Sequence, residues 1–123
     1  MVVEIYPDVW EVDEVVPERV RNYLAQAHRT MTASDASVVM SAPSIDAMLK
    51  DNGITEGSLY RRIDEAVASG LLTQKMADWA HRVRLDANNP RHADETTPHV
   101  SSEDAQRAFD FANALTEYLY ILP

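Results

Sequence analysis

The chain is 123 residues long, enough for one domain with a core that needs no disulfide or metal, and its 20 Asp and Glu against 11 Lys and Arg give a net charge of −9. It contains no cysteine, which excludes a disulfide framework, zinc–thiolate sites and thiol catalysis. The acidity argues against a general nucleic-acid-binding surface, because phosphate neutralisation needs basic groups.

The opening stretch MVVEIYPDVWEVDEVVPE holds six acidic residues and no basic one, so it reads as neither a signal nor a transit peptide. No apolar run approaches the roughly 20 residues of a membrane span. A soluble, cytoplasmic protein with no membrane partner is the expectation. Residues 1–14 alternate poorly and include Pro7, which predicts an extended N-terminal arm packed by Val3, Ile5, Tyr6 and Trp10 onto its own bundle or onto a second subunit.

From there to the end, apolar residues recur at intervals of three and four, the period of helices. Pro17 suits the first position of a helix, with Val20, Leu24, Ala27 and Met31 as its core stripe. Ser34 is the expected N-cap of a second helix with Val38, Val39, Ile45, Met48 and Leu49 inward and Gly53 as its stop. Pro43 in its middle predicts a kink or a start later than Ser34, since an interior proline costs about 3 kcal/mol. A third helix is expected from near Thr55 to Gly70, burying Leu59, Ile63, Ala66 and Val67.

Thr73 then caps a fourth, with Met76, Trp79, Ala80 and Val83 on its inner side. Residues 94–100 form a polar loop. Ser101 followed by Asp104 resembles a capping box with the shorter acid, and Ala105, Ala108, Phe109, Ala112, Leu115 and Leu119 trace the inner face of the last helix. The closing YLYILP places large apolar groups that cap the core or a dimer interface. The fold class is therefore all-α: a four- to five-helix bundle over residues 15–123 behind the arm, a single helical domain across 1–123.

The end of the fourth helix, RLDANNPRHAD over residues 84–94, is the stretch with the most chemistry. Arg84, Asn88 and His92 repeat every four residues and share one face if the helix runs through. Arg61, Arg62, Lys75, Arg82, Arg84 and Arg91 are opposed between 61 and 91 only by Asp64, Glu65, Asp78 and Asp86, a locally basic window in an acidic protein.

His92 suits proton transfer near neutrality, Arg84 or Arg91 suits a phosphate, and Asn88 can orient either, with Asp86 as a further supporting residue. Together they suit phosphodiester cleavage without a metal. The competing reading is structural: Asn88 or Asn89 ends the helix, Pro90 stops it, and Arg91 and His92 satisfy its last carbonyls. His28, His81, His92 and His99 share no ligand spacing, and there is no HExxH motif, GxSxG elbow or glycine-rich phosphate loop, so neither a metal site nor a cofactor is expected.

The succession from IDAMLKDNGITEGSLYRRIDEAVASG through RLDANNPRHAD, followed after a loop by EDAQRAFDFANALTEYLYILP, resembles the domain-of-unknown-function family 4145, commonly grouped with the HEPN superfamily of small helical domains. The resemblance covers roughly residues 15–123, and the family's Arg-x-x-Gly-Asn-x-x-Ala-His pattern falls on Arg84, Ala87, Asn88, Arg91 and His92. What it implies is a bundle that dimerises and metal-independent endoribonuclease potential, with Arg84 stabilising phosphate charge, His92 acting on the 2′-hydroxyl or the leaving group and Asn88 supporting them. The resemblance equally accommodates a defence-associated, RNA- or nucleotide-binding module without catalysis. A protein-interaction module, or an acidic adaptor or antitoxin that masks a basic protein partner with its N-terminal arm, is the alternative.

Overall fold

The computed structural model describes residues 10–92 and 100–122, the last four residues of the first span by their backbone alone. Those residues form five helices: α1 (Glu18–Arg29), α2 (Ser34–Asp51), α3 (Leu59–Ala68), α4 (Gln74–His92) and α5 (Ser102–Thr116), the last running into a π-helical turn at Glu117–Ile121. There is no strand among the described residues, and no helix is long and apolar enough to cross a membrane. The all-α bundle expected from periodicity is the fold.

α2 touches each of the other four helices, so it has no single apolar stripe. Val38, Ile45, Met48 and Leu49 fill the core from it, while Ser37, Ser41 and Ser44 are also completely buried. Each buried hydroxyl donates to a carbonyl: Ser37 to Ala27 of α1 at 2.8 Å, Ser41 to Ser37 at 3.0 Å and Ser44 to Ser41 at 2.6 Å. Small side chains let neighbours approach from several sides, and the returned hydrogen bonds avoid the penalty for burying a bare hydroxyl.

The second helix does not start late: α2 encloses Pro43 and begins at Ser34, with Ala33 rather than Ser34 in the cap position and no side-chain cap. Gly53 stops it as expected, with φ +90°, while Ile54 donates back to Leu49 at 3.0 Å; only glycine takes that backbone conformation without a Cβ penalty.

α3 starts four residues later than Thr55, because Ser58 is the true cap and accepts from the Arg61 amide at 3.2 Å. Its C-terminus, at Ala68, stops short of Gly70. Ile63 and Ala66 are buried, whereas Leu59 and Val67 are half-buried. Arg62, only 8% exposed, is held by Asp46 of α2 at 2.7 Å and by the carbonyl of Gly57, and Asp46 also pairs with Lys50 at 3.3 Å. The pair thus ties α3 and the preceding turn to the central helix.

Thr73 caps α4 as its spacing implies, accepting from the Met76 amide at 3.1 Å. Its buried stripe is Ala77, Ala80, Val83 and Ala87. Trp79 is the exception to expectation: at 55% exposure it is not an inner residue. Ser101 caps α5 by accepting from the Asp104 amide at 3.0 Å, and Ala105, Ala108, Phe109, Ala112 and Leu115 are buried.

Of the arm, Trp10 is described and stacks on His28 at 4.7 Å and edge-on to Phe109 at 5.3 Å; Val3, Ile5, Tyr6 and Pro7 lie outside the described residues. In the final turn Leu119 and Tyr120 pack on the core while Tyr118, Ile121 and Leu122 are exposed. Tyr120 donates to Asp51 at 2.8 Å and so fastens that turn to the end of α2.

Removing Asp46 leaves the Arg62 guanidinium buried with one carbonyl partner. Asp46→Ala is expected to lower unfolding stability by about 2–3 kcal/mol, the range for a charged hydrogen bond, in urea denaturation. Lys50→Ala, which removes a half-exposed pair, is expected to cost less than about 1 kcal/mol.

Candidate functional site on two flanks of α4

The backbone of α4 continues through Asn88, Asn89 and Pro90 to His92. The reading in which an asparagine ends the helix and Pro90 stops it is therefore overturned. Proline removes one amide donor, the one that would meet the Asp86 carbonyl, and this close to the C-terminus the loss affects a single rung. Arg84, Asn88 and His92 consequently occupy successive turns of one helix.

Asn88 is exposed; the side chains of Arg91 and His92 lie outside the described residues. Asp86 does not join the Arg84 face. Two residues along a helix is a rotation of about 200°, and Asp86 accordingly faces α5, where it pairs with Arg82 at 3.5 Å.

Arg84 instead meets residues that the sequence reading passed over. The α3–α4 hairpin is antiparallel, so Tyr60 faces Arg84 and Asp64 faces His81. The Arg84 guanidinium carbon lies 5.0 Å from the centroid of the Tyr60 ring, the His81 and Tyr60 rings are 4.8 Å apart, and His81 Nε2 sits 3.0 Å from Asp64 Oδ1.

Arg84 Nε, which always carries a proton, donates to His81 Nδ1 at 3.4 Å. With Nε2 facing Asp64, both ring nitrogens of His81 are engaged. Among the described residues Arg84 forms no ion pair with a carboxylate, as is also true of Arg19, Arg21, Arg29 and Arg61. What sets it apart is its place over the Tyr60 ring and beside His81. Chemically the group is a histidine that faces an aspartate through one ring nitrogen and is covered by an arginine at the other. If that guanidinium turns to an incoming anion, Nδ1 is uncovered.

These partners were legible in part. His81 precedes Arg84 by three residues and Tyr60 precedes Asp64 by four, both same-face spacings, but nothing in the sequence said that the two helices present those faces to one another.

The opposite flank of α4 borders a cavity of about 330 Å³ shared with α5. Burial lifts the Asp86 carboxyl above its ordinary value, against the opposing attraction of Arg82 and with a further push from Asp104. Among the described residues there is no cluster of three or more acidic or histidine side chains suited to a metal ion.

Compared with known proteins, the sequence model of the domain of unknown function DUF4145 matches residues 25–123. That span begins ten residues later than the resemblance read from the sequence and takes in all of α2 to α5 with only the last five residues of α1. No curated protein and no solved structure matches the chain.

A carboxyl whose folded value is raised binds its proton more tightly in the fold than in the unfolded chain. Its penalty is absent at low pH and grows as pH rises past the unfolded value of about 3.8. Asp86→Asn is therefore expected to match or exceed the wild-type melting temperature at pH 7, with the difference disappearing below about pH 4, as thermal unfolding across that range will show.

Proposed function

Because the chain belongs to the DUF4145 family, a domain of unknown function, we propose its role from the α3–α4 face: a HEPN-like helical protein that binds a phosphate-bearing ligand, RNA or a nucleotide, through Arg84. The observation that carries this reading is a guanidinium stacked on Tyr60 and hydrogen-bonded to His81 yet without a carboxylate partner among the described residues. In a chain with 20 acids to 11 bases, an arginine held by an aromatic ring and an imidazole keeps donors for a ligand. Planar guanidinium matches phosphate geometry with paired donors, and the ring fixes it in advance.

Continuity of α4 adds Asn88 and His92 on the next two turns. Metal-independent cleavage of RNA would then use Arg84 to hold the phosphoryl oxygens while a histidine takes the 2′-hydroxyl proton. His92 carries that role by the family pattern, and His81, oriented by Asp64, is a second base in reach of Arg84. Pairing of two copies would join two basic windows and reduce the repulsion of a −9 protein for an anionic ligand.

A second reading is favoured by the closure of the group: Tyr60, Asp64, His81 and Arg84 satisfy one another, as a structural network in an interaction module would.

One pair of measurements separates them. With a fluorescent single-stranded RNA in low salt and a chelator, Arg84→Ala is expected to weaken binding at least about tenfold, and cleavage, if present, to fall with His92→Ala. Arg82→Ala, on the other flank, is expected to leave affinity within about twofold, the usual scale of one surface charge. Absence of binding to RNA and to nucleotides by the wild-type protein sinks the ligand reading. Loss of about 1–2 kcal/mol of stability in His81→Ala without any ligand effect of Arg84→Ala establishes the structural one.

A further inference from the structure

The cavity between α4 and α5 belongs to neither reading above, and its wall has a distinctive composition. Trp79 stands at its edge, 55% exposed, yet it is not loose: Phe111 of α5 holds it from behind at 5.7 Å with the rings inclined by 52°. An aromatic ring braced by a neighbour with more than half its surface open leaves room for a ligand to pack on it.

The same wall carries two carboxylates from two helices, Asp86 with 18% of its side chain exposed and Asp104 with 31%. Their cationic partners hold them weakly. Arg82 reaches Asp86 at 3.5 Å and Arg107 reaches Asp104 at 3.6 Å, with 69% and 66% of their own side chains in solvent. Exposed pairs at such distances contribute little and exchange readily.

Burial also lifts the Asp86 carboxyl in spite of Arg82, so the carboxylate has less positive charge beside it than its surroundings call for. With Asp78 also on the wall, the lining holds more acids than bases, which disfavours a phosphate and favours a cation.

A guanidinium answers each feature. It is planar and weakly hydrated, stacks on an indole, and donates two parallel hydrogen bonds to a carboxylate. An ammonium would satisfy the charge but not the stacking geometry. The chain as a whole, at −9, attracts basic polypeptide in the approach to such a site.

We propose that the α4–α5 cavity is a docking pocket for the side chain of an arginine on a basic protein partner, its guanidinium laid on Trp79 and donating to Asp86 and Asp104. The pocket displaces the solvated Arg82 contact and gives Asp86 a desolvated partner instead. It is independent of the phosphate reading, since it lies on the other side of α4 and uses none of Tyr60, His81 or Arg84.

The test is a titration of the whole protein, followed by the indole N–H resonance of Trp79, with an acetylated and amidated glycine–serine peptide carrying one arginine flanked by lysines. A second peptide replaces that arginine by citrulline, which keeps the shape and loses the charge. The expected result is saturable movement of the Trp79 signal, weakened at least about tenfold by citrulline, by Asp86→Asn and by Trp79→Leu.

Asp86→Asn is expected to be at least as stable as the wild type at neutral pH, so its loss of binding reports the pocket rather than unfolding. Equal titration by the citrulline peptide, an Asp86→Asn protein that binds like the wild type, or a motionless Trp79 signal overturns the pocket. Butylguanidinium alone saturating as tightly as the arginine peptide overturns the polypeptide partner in favour of a small free cation.

Discussion

Everything in this bundle is arranged around a helix that is buried on more than one side. α2 contacts α1, α3, α4 and α5, and a helix so enclosed has to solve two problems at once. It needs small residues where neighbours cross closely, and it must leave no polar atom bare. Ser37, Ser41 and Ser44 meet both demands because each hydroxyl is returned to a carbonyl, that of Ser37 across to α1. An alanine in their place would pack, but Ser37 also joins two helices by a buried hydrogen bond, which fixes their register as well as their distance.

The same enclosure leaves the proposed sites on α3, α4 and α5 rather than on the central helix. Asp46 is committed to the buried Arg62, and it anchors the turn before α3 through it. That anchor sets where α3 begins, and hence where Tyr60 and Asp64 stand opposite α4. The placement of the Arg84 cluster thus depends on a structural ion pair between α2 and α3, since Arg62 lies on the same helix as Tyr60 and Asp64.

What was legible in the sequence follows from which interactions are local. The caps at Thr73 and Ser101 and the stop at Gly53 were readable because each is settled within a few residues. The start of α3 differs from Thr55 because Ser58 accepts from the Arg61 amide and Gly57 before it holds φ +81°, while the Arg62–Asp46 pair, 16 residues apart, adds a tertiary tie that local spacing does not show. The spacing of Trp79 fits the core stripe, yet it sits at the stripe's margin, where α5 is close enough to brace it through Phe111 but not to cover it.

Pro90 was read as a stop on local grounds that hold for a helix interior and weaken in the last turn, where carbonyls are already without helical partners. Of the candidate residues, Arg84 and Asn88 keep their common face, Asp86 goes to the other flank, and Tyr60, Asp64 and His81 could be found only once α3 and α4 were seen as a pair.

The two flanks of α4 differ in one decisive respect. On the α3 side the exposed aromatic, Tyr60, already carries a cation, since Arg84 lies over its ring; the charge left over is positive and looks outward. On the α5 side the exposed aromatic, Trp79, has no cation on its face among the described residues, and the nearby arginines are spent on carboxylates at long distance. An aromatic that holds its own arginine offers donors to an anion, and an aromatic beside underpaired acids offers a seat to a cation. One helix therefore separates the two proposed sites, which differ in the charge they would favour. The separation follows from the helical period itself, because a polar residue placed two positions from Arg84 cannot share its face and must serve the other side.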